Sequence, residues 1–169
     1  MANKNLRILT WGALLITLGI LLPILFHLFG LGPIFLPMFI PILTAGFLMP
    51  PLSAIFIGMI TPILSFLLTH MPAIIILPLM VIEGFFLGGI PAIFYGKLKW
   101  NFWLVLLGAL IFDRILLGVM VLLLAPVFHL PARLSSVYVV LQGLPGVLLN
   151  LFLVSVFVKL LKVKDVGLS

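Results

Sequence analysis

Three charged side chains fall deep inside apolar runs. Glu83 lies ten residues into the run 73–95, and Asp113 and Arg114 are equally central in the run 102–124. At about 1.5 Å per helical residue, each stands near the middle of a bilayer. Inserting such a charge costs at least about 2.5–3.5 kcal/mol. Each must therefore face protein and pair, or contact a polar ligand. Asp113 and Arg114 are neighbours, so their side chains leave a helix about 100° apart. Unless Arg114 bends back, the expected arrangement has it reaching another helix, as to Glu83. Such a cluster either locks two spans together or binds a solute. A second group is Tyr138, Gln142, Gly146 and Asn150, four residues apart and so on one slowly drifting stripe. The two amides can hydrogen-bond a solute, and Gly146 leaves room for one. The same amides can also tie helices together. Gly143, Pro145 and Gly146 loosen the helix at that level.

Other chemistries lack their parts. His27, His70 and His129 have no Cys or acidic neighbour to complete a metal site, and they read as loop or interface residues. Ser65 and His70 form no catalytic pair, because no nucleophile elbow surrounds Ser65 and the acids lie elsewhere. The chain has no cysteine, hence no disulfide and no thiolate nucleophile. It also has no phosphate-binding loop. We expect no enzyme and no cofactor. Any transport it drives takes energy from an ion gradient or from a partner.

The elements that must position these groups follow from composition. Of 169 residues, 65% are hydrophobic and 7% charged, against about 25% charged in a soluble domain. Mean hydropathy is +1.52. An ordinary soluble domain, a disordered chain and a secreted disulfide scaffold are excluded. The apolar runs do not alternate with polar residues as barrel strands would, so they read as membrane helices. At roughly 20 residues each, the chain holds six: about 8–29, 34–48, 52–68, 73–95, 102–124 and 134–161, in one domain. The first run is too long for a signal sequence and no cleavage site follows. Pro37, Pro41, Pro62 and Pro78 are expected inside spans, as ordinary kinks or as the walls of a cavity. The charge balance is +6. No polar patch exists to follow a nucleic-acid backbone, so the excess is read as loop placement. With six spans, Lys4, Arg7, Lys97, Lys99, Lys159, Lys162 and Lys164 share one side, and Arg133 alone lies on the other. Basic loops stay cytoplasmic, so both termini are expected inside. Trp11, Tyr95, Trp100 and Trp103 fall at the same ends, as an aromatic belt does.

The first span carries a face of small residues, Gly12 with Ala13 and Thr17, on which another helix can pack closely. The partner is either a helix of this bundle or a second protein. This face and several stretches resemble the substrate-binding S-components of energy-coupling factor (ECF) transporters for vitamins and micronutrients. The stretches are Ala13–Thr17, Leu36–Pro41, Thr61–Ser65 with Met71–Pro72, Glu83 in the fourth span, and Gly143–Gly146 in the sixth. The resemblance implies a small polar, vitamin-like solute bound from outside, in a pocket made mainly by the last three spans. It assigns Glu83, Arg114, Gln142 and Asn150 to that pocket, where the reading of the residues adds Asp113, Tyr138 and Gly146. It makes the loop holding Gly30, Pro33 and Pro37 an outer gate. It implies that Ala13 and Thr17, on the small-residue face that also holds Gly12, dock on a transmembrane coupling protein, that two ATPase subunits consume the ATP, and that the chain topples in the plasma membrane of a prokaryote to release its solute. On hydropathy alone, a structural subunit of cell-shape or division machinery and an ion-coupled carrier also fit.

The topology is testable because the chain has no cysteine of its own. Single cysteines at Ser169 and Lys97 are expected to resist an impermeant thiol reagent in intact cells, and one at Pro131 to react. Labelling of Ser169→Cys from outside would end the six-span plan.

Overall fold

The computed structural model describes residues 2–128 and 141–163. Seven helices carry them: α1 (Ala2–Leu28), α2 (Gly32–Phe35), α3 (Phe39–Leu48), α4 (Pro51–Thr69), α5 (Leu77–Pro91), α6 (Phe102–Phe128) and α7 (Leu144–Val163). A π-helical turn, Ala92–Lys97, continues α5. No strand occurs among the described residues. Five helical stretches are long and apolar enough to cross a membrane: Lys4–Leu28, Pro51–Thr69, Leu77–Lys97, Phe102–Leu123 and Leu144–Lys162.

The expected second span takes a different form. It divides into α2 and α3 at Leu36 and Pro37. Pro37 has no N–H to donate and crowds the residue before it. Leu36 adopts the left-handed conformation, φ 49° and ψ 50°. Helix α3 keeps only ten residues, about 15 Å of a hydrocarbon layer about 30 Å thick. Every residue of α3 is buried. Helices α1, α4, α5 and α7 surround it, which explains a sequence apolar on all sides.

The prolines also move relative to expectation. Pro78 stands in the first turn of α5 and Pro41 in that of α3, where an N–H has no helical partner to lose. Pro37 precedes α3, and only Pro62 of the four lies inside a helix. The carbonyl Pro62 leaves without its usual donor belongs to Gly58. There α4 meets α5 backbone to backbone. A Cβ on Gly84 would run into the Gly58 carbonyl, and one on Gly58 into the Gly84 carbonyl. The bare Cα of Gly84 thus packs on the oxygen that Pro62 frees, a close approach that supplies weak Cα–H···O contacts.

The expected sixth span is also interrupted. Residues 141–142 are helical, Gly143 is a turn, and α7 starts at Leu144 with Pro145 in its first turn. Tyr138 lies outside the described residues. At one end of the bundle the π-helical turn meets the end of α7. There the Lys162 ammonium donates to the Tyr95 hydroxyl and stands 4.1 Å from that ring's centre.

Gly84→Ala is expected to lower stability by about 1–3 kcal/mol, the usual range for overpacking, because the added methyl meets backbone that cannot rotate away. Gly108→Ala, on an exposed stretch of α6 with nothing within 4 Å, is expected to be neutral or to gain up to about 1 kcal/mol from helix propensity. Thermal unfolding in detergent compares the two.

Candidate functional site

A cavity of about 770 Å³ opens at the end of the bundle away from the Lys162–Tyr95 contact. Six parts of the chain enclose it. Pro23 and His27 come from the end of α1, and Leu36 to Phe39 from the gate loop and the start of α3. Ser65 comes from α4, and the connection Met71 to Ile76 leads into Leu79, Met80 and Glu83 of α5. Arg114, Leu117 and Val121 of α6 and Gln142 complete the wall. Among the described residues, half of the lining comes from the last three expected spans, 73–95, 102–124 and 134–161. The cavity reaches down to Phe39 because α3 stops halfway.

Its polar floor is the charged cluster. Glu83, Asp113 and Arg114 are all buried. Arg114 does bend back on Asp113: Nε donates to Oδ2 at 3.0 Å, and Nη2 donates to the same oxygen. It also faces Glu83, with Nη2 3.8 Å from Oε1, an ion pair beyond hydrogen-bond length. The sequence expectation held only the second of these pairs. The long guanidinium stem reaches both acids because α5 and α6 pack side by side. Gly143 permits this position, since a Cβ there would stand 2.5 Å from Arg114 Nη1. The Phe39 ring lies 6.0 Å from the guanidinium carbon. Among the described residues, five buried side-chain atoms have no hydrogen-bond partner: Ser65 Oγ, Glu83 Oε1 and Arg114 Nη1 on cavity-lining residues, and Asp113 Oδ1 and Asn150 Oδ1 outside the lining. Buried polar atoms are ordinarily satisfied. Three of the unsatisfied ones belong to side chains that line one cavity.

The other expected site residues divide. Gln142 lines the cavity. Gly146 and Asn150 do not. A Cβ on Gly146 would stand 2.7 Å from the Ile34 carbonyl oxygen, so its bare face carries α2. Asn150 Nδ2 donates to Gly146 O at 2.7 Å and to Phe35 O at 3.5 Å. The stripe therefore fastens the loop that carries α2, the expected outer gate, to α7. In that loop Gly30 turns the chain at φ 68°, Pro33 lies in the first turn of α2, and Pro37 is buried in the cavity wall. His27 lines the cavity, and His70 caps α4 in the left-handed conformation. His129 is outside the described residues. No group of three possible metal ligands occurs among the described residues.

On α1, Ala13 and Thr17 are exposed, and the Thr17 hydroxyl donates to the Ala13 carbonyl at 2.9 Å. Gly12 is not on that face. It is buried, 3.4 Å from Ile57 measured from an added Cβ, because one residue turns a helix by about 100°. Ser65 was passed over in the sequence except as a nucleophile. Its signal was a polar residue one turn beyond Pro62 in an otherwise apolar helix.

Residues 7–158 match the family described as the substrate-specific component of ECF transporters. The chain belongs to that family. No curated protein and no solved structure matches it. As an ECF substrate-specific component with five long apolar helices, it is a multi-pass membrane protein. For such a component, the cavity with its unsatisfied polar atoms is the candidate substrate site.

The cluster holds two carboxylates and one guanidinium. Arg114→Gln is expected to cost about 3–5 kcal/mol, the usual penalty for stranding a buried charge. Glu83→Gln removes the surplus negative charge and is expected to be far milder. Thermal unfolding of both variants in detergent reads the difference, and equal losses would contradict this charge balance.

Proposed function

We propose that this chain binds a small water-soluble vitamin or vitamin precursor and delivers it to an ECF transport module. The observation that carries this reading is the cavity, about 770 Å³ in volume, within the range of about 300–1,000 Å³ usual for small-molecule sites. Unsatisfied buried polar atoms stand at its floor. Apolar walls suit a solute with a flat or hydrophobic body, and the few polar groups orient it. Glu83, Arg114, Gln142 and Ser65 make these contacts, Asp113 holds Arg114, and Tyr138 belongs with them by its place in the sequence. Gly146 and Asn150 act indirectly, by holding the gate loop.

The module supplies the energy. A transmembrane coupling protein receives the chain on the exposed Ala13–Thr17 face, and two ATPases attached to it hydrolyse ATP. The chain itself catalyses nothing and needs no cofactor. Both termini lie in the cytoplasm of a prokaryote, because basic residues crowd the bundle end that carries Lys97 and Lys162. The cavity then opens outward. The proline-interrupted helices let α1 and the gate loop shift against the rest as the chain reorients in the membrane.

Ala13→Trp tests the docking face. The bulky ring is expected to abolish uptake and co-purification of the coupling protein. Solute binding in detergent should be unchanged, since Ala13 is exposed and lies outside the cavity. A variant that still assembles and transports would place the docking face elsewhere.

A further inference from the structure

We propose that the solute carries a positively charged nitrogen bearing hydrogen, and that this group sits on the Glu83 carboxylate. The inference rests on the cavity being the solute site. Its first ground is charge. Glu83, Asp113 and Arg114 together hold two formal negative charges and one positive. The positive charge is already taken, since Arg114 gives both Nε and Nη2 to one oxygen of Asp113. Glu83 is left at 3.8 Å from Nη2, and its Oε1 accepts no hydrogen bond among the described residues. A buried carboxylate in that state takes up either a proton or a cationic donor, and the donor adds a charge-assisted hydrogen bond.

The second ground is direction. The free guanidinium nitrogen of Arg114, Nη1, lies over Gly143, where an added Cβ would come within 2.5 Å. It is pressed toward the start of α7. An anion seeking it would have to share the enclosure with Glu83. A cation on Glu83 also stands near Arg114, but that guanidinium is balanced by Asp113, and Ser65 Oγ, also buried and without a partner, can accept a second hydrogen bond from the same solute. The apolar wall of the same cavity includes Phe39, Leu79, Met80 and Leu117. These suit a ring or short hydrocarbon body attached to the charged nitrogen. An aromatic face and a polarisable thioether both tolerate a nearby cation.

The test compares three probes that share a benzyl or phenyl body and differ in head group: benzylammonium, benzyl alcohol and benzoate. Each is titrated against the full chain in detergent, with the melting temperature as readout, since a ligand of the folded state raises it. Benzylammonium is expected to stabilise the protein, and the other two to do so at least about tenfold more weakly, the loss of one hydrogen bond to a charged group. Glu83→Gln should weaken the benzylammonium response by a similar factor, and Glu83→Asp should restore part of it. If Glu83→Gln does not fold, the head-group order on the unaltered protein still decides. A stronger response to benzoate, no preference among the three, or an undiminished response in Glu83→Gln would overturn the proposal. Mass spectrometry of small molecules that co-purify with the unaltered chain separates this failure from a wider one. A bound neutral or anionic solute leaves the cavity as the solute site and removes only the cationic class. The absence of any bound solute, with no probe binding, would remove the site itself.

Discussion

Ten residues of helix cannot cross a bilayer, and that shortfall in α3 organises the molecule. A half-length helix has ends whose polar backbone groups must be met inside the hydrocarbon layer, and lipid cannot meet them. It is therefore wrapped completely, with α1, α4, α5 and α7 against it. The Met49 N–H donates to the Ala45 carbonyl at 2.8 Å and finishes the lower end. The upper end cannot be filled by the chain that precedes it, because Pro37 and the left-handed Leu36 turn that chain aside into α2. The space above Phe39 is what remains. The cavity exists because one helix stops early, while the longer helices around it continue to the surface.

Charges in such a space need a reason to stay. Asp113 and Arg114 satisfy each other in part, so the pair adds little net field. Glu83 does not fit that account, because its nearest cation is already engaged. Replacing a buried ion pair by apolar side chains is often neutral or stabilising, so structural locking alone is a weak explanation for three charges at this depth. The proposed contact with a polar solute accounts for a third charge that faces the cavity.

Much of this was legible in the residues, and the limits were physical. The number and character of the helices followed from apolar runs, and the charged cluster was marked by depth alone. The length of α3 was not legible, because a proline inside an apolar run stands equally well in a first turn or in mid-helix until the neighbours are known. Pro41 and Pro78 took the first-turn role and Pro62 the other. The rotation of α1 was hidden for a similar reason. Its middle is apolar on every side, so no stripe of polar residues indicates which face turns inward. Gly12 is buried and Ala13 exposed, one step apart. Arg114 defeated a rule of helix geometry, since a long flexible side chain can return to its own neighbour. Gln142 and Asn150 share a stripe in sequence but part company in space, because α7 begins only after the turn at Gly143.

The seam between α2 and α7 acts as a latch of low strength. It consists of the bare Cα of Gly146 lying on the Ile34–Phe35 backbone and one long hydrogen bond from Asn150 to Phe35. No ion pair crosses it among the described residues. A neutral hydrogen bond contributes on the order of 1 kcal/mol, close to thermal energy. Under the proposed gating role, this seam is the part of the cover that gives way while the buried charges beneath it stay in place. Asn150 keeps its shorter bond to Gly146 when the longer one breaks, so α7 stays whole in the open state. Entry of the solute and integrity of the bundle are thereby set by different contacts.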